Sequence, residues 1–136
     1  MPFVLDASIA AAWHFEDEHC PQADAALNAL AHDTAVVPAL WWFEIRNVLL
    51  LGERRGRASL QQTAQFLDRL AALPIESAGI PDEASAMNLA RRHRLSFHDA
   101  AYLGLAQHER IALATLDDKL AAAARAENVA LVGSAR

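Results

Sequence analysis

One cysteine and one lysine in 136 residues narrow what this chain can be. Cys20 has no partner for an internal disulfide. A cysteine-based zinc site needs several thiolates, so it is excluded, and a reducing cytosol is the expected setting. No apolar run approaches the roughly 20 residues of a membrane span. The longest candidate is broken by Glu44. The opening Met1-Pro2-Phe3-Val4-Leu5-Asp6 lacks a basic stretch and meets a carboxylate at once, so no secretory signal is expected there. A surplus of positive charge is missing too. The formal net charge is −5, so the molecule as a whole has no general attraction for nucleic acid. There is no internal repeat, low-complexity tract or linker.

What is present is a globular composition, 54% hydrophobic and 21% charged. It lies well outside the disordered regime and suits one domain, residues 1–136, around one core. The few cations are unevenly placed. Arg54, Arg55 and Arg57 form one cluster, and Arg91, Arg92 and Arg94 form another. Each cluster is either a solvated helix end, where cations suit the helix dipole, or a contact to a phosphate backbone.

Short apolar runs alternate with helical stretches. Phe3 to Leu5 reads as a buried strand, followed by a helix over Ser8 to Phe15 and another over Pro21 to Ala31, with Pro21 in the first turn. Ala35 to Val37 is a second strand. A long helix is expected from Leu40 to Arg55, stopping near Gly56. Ser59 caps the next helix, which runs to about Leu73. Pro74 to Ser77 reads as a short strand, and Pro81 to Arg94 and Ser96 to His108 as helices. Ile111 to Ala114 is a strand, Asp117 to Ala126 a helix, and Val129 to Val132 the last strand. Strands separated by helices need crossover connections, which predicts an α/β fold with a mostly parallel sheet and helices on both faces. Sites in such sheets form beyond the carboxyl ends of the strands.

Four acids stand out against that frame. Asp6 follows the first strand directly. Asp117 follows Ile111 to Ala114 through Thr115 and Leu116. Asp99 sits in Ser96-Phe97-His98-Asp99. Glu44 shares a helix face with Trp41 and Val48, next to Ile45 and Leu49. A carboxylate there is either largely buried, and so needs a cation, a hydrogen-bonding cage or a proton, or it escapes to solvent at the edge of the stripe. Asn47, one turn on, is a candidate polar neighbour. The other three also fit helix caps: Ser96 with Asp99 and Thr115 with Asp118 have capping-box spacing, and Asp6 precedes a helix. A parallel sheet would nevertheless bring Asp6 and Asp117 to one edge. Carboxylates sharing a cleft raise each other's pKa, and a divalent cation removes the conflict. Oxygen ligands alone favour Mg²⁺ or Mn²⁺ over zinc. His14 and His19, like His93 and His98, are five residues apart, which is poor spacing for two ligands on one helix face.

These segments resemble the PIN-domain family, and within it the VapC-type toxins. Val4-Leu5-Asp6-Ala7-Ser8, continued by Trp13, Glu16 and Glu18, is similar to the family's opening strand and first acid. Pro38 with Glu44-Ile45-Arg46-Asn47-Val48-Leu49 is similar to its second acidic motif, Phe97-His98-Asp99-Ala100-Ala101-Tyr102-Leu103 to its third, and Leu113-Ala114-Thr115-Leu116-Asp117 to its fourth. The four occur in the family's order. The resemblance implies a PIN-like three-layer α/β/α sandwich spanning 1–136, with Asp6, Glu44, Asp99 and Asp117 around one or two Mg²⁺ or Mn²⁺ ions. Ser8, Thr115 and Asn47 would support the site. Asp118 is a candidate fifth acid, better explained as a favourable charge in a first helical turn. The implied activity is hydrolysis of RNA phosphodiester bonds to 5′-phosphate and 3′-hydroxyl products, by the toxin component of a toxin–antitoxin pair. Its implied partners are an RNA substrate, a cognate antitoxin and a second copy in a homodimer, in the cytoplasm. Arg54, Arg55 and Arg57 are the candidate RNA contacts. Two other readings compete: a PIN-like interaction module that cuts nothing, and a receiver-type phosphoacceptor domain. The second needs a lysine after a late strand, and Lys119 lies inside a helix instead.

Overall fold

A computed structural model describes residues 1–133. Four three-residue strands form one sheet: β1 (Phe3–Leu5), β2 (Ala35–Val37), β3 (Ile75–Ser77) and β4 (Ala112–Ala114). Their order is β3-β2-β1-β4 and every pairing is parallel. β1 is central and buried at all three positions, so it reads Phe-Val-Leu with no polar alternation. β3 lies at an edge, and there the sequence turns polar with Glu76 and Ser77 exposed.

Seven α-helices flank the sheet: α1 (Ala7–His14), α2 (Pro21–Ala29), α3 (Leu40–Arg54), α4 (Leu60–Ala71), α5 (Glu83–His93), α6 (Phe97–Glu109) and α7 (Asp118–Ala126). This is the expected α/β/α architecture. Local chemistry sets the starts. Ser59 Oγ accepts from the Gln62 backbone N–H at 3.1 Å while the Gln62 side chain accepts from the Ser59 N–H at 2.8 Å. That reciprocal box opens α4 and is worth about 1 kcal/mol. α5 begins at Glu83 rather than Pro81, because Asp82 caps it through the Ser85 N–H at 3.0 Å.

β1 carries the core's centre. Val4 and Leu5 are fully buried, with Tyr102 and Leu103 of α6 and Leu113 of β4 also fully buried in the same apolar cluster. α3 turns Trp41, Ile45 and Leu49 inward. Gly52, on the same stripe, admits the Phe15 ring: a Cβ there would lie 2.6 Å from Phe15 Cζ.

Two local features depart from expectation. A 3₁₀ turn, Glu16–Glu18, separates α1 from α2. The expected strand at Val129 to Val132 is reduced to a single parallel bridge between Leu113 and Leu131. The segment exchanges two hydrogen bonds with Leu113, whose N–H donates to the Ala130 carbonyl at 2.9 Å and whose carbonyl accepts from the Val132 N–H at 3.0 Å, and the chain then enters a turn at Val132 that carries it into the left-handed Gly133 (φ 72°).

The strand order fixes where a site can form. From β1 the chain goes to β2 and β3 on one side, then crosses through α5 and α6 to β4 on the other. Crossovers therefore diverge between β1 and β4, and the carboxyl ends of those two strands open a crevice.

Candidate active site

Asp6 lies at that crevice, immediately after β1. Its N–H donates to the Ala114 carbonyl at the end of β4, 3.0 Å away, so the two strand ends are held together. Asp6 is only 7% exposed. It stands at the N-cap position of α1, yet its side chain makes no capping bond. Instead Oδ2 accepts from Ser8 Oγ and from Thr115 Oγ1, both at 2.7 Å. Ser8 Oγ accepts in turn from the Leu116 N–H at 2.9 Å, and Thr115 Oγ1 from the Asp117 N–H at 3.1 Å. Two hydroxyls thus lock the carboxylate to both strand ends.

The other acids reach the same place from three elements. Asp117 caps α7, accepting from the Leu120 N–H at 2.8 Å, and is exposed. Asp99 is in the first turn of α6. Ser96 Oγ accepts from its backbone N–H at 3.1 Å, and its carboxylate does not return the bond to close a capping box. Glu44, on α3, is half-buried and accepts a short hydrogen bond from the Tyr102 hydroxyl. The cap explanation therefore accounts for one oxygen of Asp117 and for neither carboxylate oxygen of Asp6.

Electrostatics show that these groups share one environment. Burial raises the Asp6 pKa above the ordinary carboxylate range; the two hydroxyls oppose the shift and Asp117 adds to it. Burial raises Glu44 as well, opposed by Tyr102 and reinforced by Asp6 and Asp99, with His98 acting in the lowering direction. Asp99 is raised by burial, then by Asp117 and Asp6. None of the four forms an ion pair with lysine, arginine or histidine among the described residues.

A metal ion is the chemistry such a set invites. Among the described residues no group of three or more His, Cys, Asp or Glu side chains is arranged to hold an ion directly. A tight cage is therefore not preformed. The donor set, all oxygen, anionic and without a competing cation, fits a hydrated hard cation. Mg²⁺ in particular keeps several waters and needs only one or two carboxylates.

The remaining sequence candidates fall elsewhere. Asn47 is exposed and makes no side-chain hydrogen bond among the described residues; the polar neighbour of Glu44 is Tyr102, from a different helix. Asp118 is exposed in the first turn of α7. Arg54 and Arg55 are exposed at the end of α3. Arg57 is not a free cation: one guanidinium nitrogen lies 2.7 Å from both Asp17 and Glu18, and the group stacks 4.0 Å over Phe15. In the second cluster Arg92 pairs with Glu127 at 2.7 Å. Of the adjacent tryptophans, Trp41 is buried and Trp42 is 53% exposed, beside Phe43 at 68%. Tyr102 is the site residue that sequence reasoning passed over, although it lies three residues beyond Asp99 on the same helix.

No helix among the described residues is long and apolar enough to cross a membrane. No curated protein sequence matches the chain. Solved structures do resemble it in fold. The structure of PAE2754 from Pyrobaculum aerophilum superposes with a TM-score of 0.72 at 21% identity, covering 96% of this chain and 83% of that one. The VapC20 toxin of Mycobacterium tuberculosis, which cleaves the sarcin–ricin loop, gives 0.62 at 16% identity over 89% and 94%. VapBC2 from Rickettsia felis, solved on a DNA fragment from its promoter, gives 0.58 at 16% over 96% and 97%. The sequence model of the PIN domain matches residues 3–126, a span that runs from β1 through α7 and includes all four acids, and the chain belongs to the PIN-domain family.

Proposed function

We propose that this chain is a metal-dependent endoribonuclease and the toxin component of a toxin–antitoxin pair, its single PIN domain comprising residues 1–136. The observation that carries the reading is the mutual influence of Asp6, Glu44, Asp99 and Asp117 around the β1/β4 crevice, with none of them in an ion pair among the described residues. A structural salt-bridge network would pair such charges. Four unpaired carboxylates make sense where a cation and a phosphate complete the balance.

In this reading the four acids hold one or two Mg²⁺ or Mn²⁺ ions. When bound, such an ion supplies an acidified water and cancels charge on the phosphodiester during in-line displacement. The chain's own residues provide the rest. Ser8 and Thr115 fix the Asp6 carboxylate in one orientation. Asp99 and Asp117, at the N-termini of α6 and α7, sit where helix dipoles favour anions. The products are 5′-phosphate and 3′-hydroxyl ends. Arg54 and Arg55 contact the RNA backbone, offsetting the overall negative charge. The partner reading, an antitoxin and a second copy in the cytoplasm, is supported by the likeness to VapC20 and VapBC2 and by the exposed aromatic pair Trp42 and Phe43.

The test is incubation of purified wild type and Asp6→Asn with total bacterial RNA, in Mn²⁺, Mg²⁺ or EDTA. Discrete fragments from wild type alone, only with metal, are expected. Folded, antitoxin-free protein that leaves RNA intact in every condition overturns the nuclease assignment and leaves a PIN-like binding module.

A further inference from the structure

Tyr102 is fully buried on α6, in the centre of the apolar cluster. Apolar packing alone does not call for its hydroxyl: phenylalanine fills the same volume without a polar atom to desolvate. A buried hydroxyl is tolerated only when it is hydrogen-bonded. Its partner is Glu44 Oε1, 58 residues away on α3. A phenol carries its proton at neutral pH, and in this bond the Tyr102 hydroxyl is the donor and the carboxylate the acceptor. Glu44 makes no other side-chain hydrogen bond among the described residues, and Oε2 is left free. The bond thus ties the helix bearing Asp99 to the helix bearing Glu44.

We propose that Tyr102 is a positioning residue for the acidic site: its hydroxyl clamps Glu44 Oε1 so that Oε2 is presented to the cation. The inference rests on the reading of Glu44 as a metal-holding group. The reasoning is entropic and geometric. A glutamate on a half-exposed helix face has three free torsions, and fixing it costs side-chain entropy. A buried phenol, held by packing on every side, imposes that order in advance. Partners that orient a metal-holding side chain are commonly worth 10–100-fold in metal affinity.

The experiment is a Mn²⁺ titration followed by electron paramagnetic resonance, without RNA, on wild type, Tyr102→Phe, Glu44→Ala and the double variant. Thermal melts check that each is folded. Tyr102→Phe is expected to weaken Mn²⁺ binding about tenfold in wild-type background and to change nothing further once Glu44 is alanine. RNA cleavage by Tyr102→Phe is expected to show lowered kcat with KM for RNA unchanged. Unaltered Mn²⁺ affinity in Tyr102→Phe, or an equal loss in both backgrounds, overturns the proposal, since a structural role would act without Glu44. The two readings fail separately. Wild type that binds Mn²⁺ but cuts no RNA removes the nuclease assignment while the cycle still decides the role of Tyr102.

Discussion

Replacing Asp6 with asparagine should stabilise the metal-free protein while removing the proposed RNA cleavage. Asp6 is nearly buried, and its negative charge there is opposed by Asp117 and in turn raises the pKa of Glu44 and Asp99. Asparagine keeps the shape, and its carbonyl oxygen can accept the same two hydroxyls, Ser8 and Thr115, that now bond Oδ2. What is lost is the interaction of the charge with the N-terminus of α1, worth about 0.3–1 kcal/mol. What is gained is relief of a buried charge whose penalty is several kcal/mol before hydrogen bonds offset part of it. The balance favours asparagine by about 1–2 kcal/mol, or about 4–7 °C in Tm for a chain of this length. The pH dependence follows from the sign of the shifts. Asp6, Glu44 and Asp99 all have raised pKa values, so between the ordinary carboxylate pKa and the raised ones the folded state binds more protons than the unfolded. The contribution of these three carboxyls to the stability of wild type in EDTA therefore falls as pH rises through that window and levels off above it, while His14, whose pKa burial lowers, adds stability as pH rises through its ordinary value. Asp6→Asn should show a shallower fall. Calorimetry in EDTA from pH 4.5 to 8, repeated with excess Mn²⁺, measures both effects; the cation should raise the Tm of wild type and leave the variant nearly unmoved. A lower Tm for Asp6→Asn in EDTA at pH 7.5 would refute the argument, because it would mean that the carboxylate stabilises the fold on balance.

Gly52→Ala places a Cβ 2.6 Å from Phe15 Cζ, and the ring has little freedom to yield under Arg57. A loss of about 2 kcal/mol in urea unfolding is expected, recovered in part by adding Phe15→Leu. Arg54→Ala with Arg55→Ala, in the uncleaving Asp6→Asn background, should flatten the salt dependence of RNA binding by more than one unit of slope, at ~0.7 per single-strand phosphate contact. Arg57→Ala should change that slope little, since its guanidinium is already held by Asp17 and Glu18. Fluorescence anisotropy across a salt series distinguishes these outcomes.

Most of the sheet and the helix boundaries were legible because β1, β2 and β4 are short, wholly apolar runs and α4, α6 and α7 start at the capping residues Ser59, Ser96 and Asp117. The last strand misled because Val129 to Val132 has strand composition, whereas the chain turns away at Val132 directly after its one bridge. Asp6 and Asp117 were placed near one another by a simple rule, that parallel strands end at one edge. Glu44 and Tyr102 were harder. Their bond joins two helices across the core, and helical spacing can say that Glu44 adjoins an apolar face but not which side chain of another helix meets it. Asn47 was the natural candidate from spacing along α3; tertiary packing supplied Tyr102 instead. Arg57 shows the same limit. Three arginines close in sequence look alike, and only the fold of the Glu16–Glu18 turn against the end of α3 neutralises one of them.

The design of the crevice answers the objection posed by a negative net charge. Affinity for RNA need not come from the whole surface if charge is arranged locally. Asp6 is the most buried of the four acids and also the most heavily bonded, with two hydroxyls on one oxygen and both strand ends behind them. Those bonds do not cancel the burial penalty, since the pKa stays raised. On the proposed reading, that residual mismatch would favour a divalent cation: the ion would meet an anionic, partly desolvated set of oxygens that the described residues leave without an ion pair. On the same reading, each added cation charge would lower the barrier for an RNA phosphate to approach these carboxylates. A more comfortable cluster, with an arginine beside Asp6, would make a more stable protein and a poorer site for a cation.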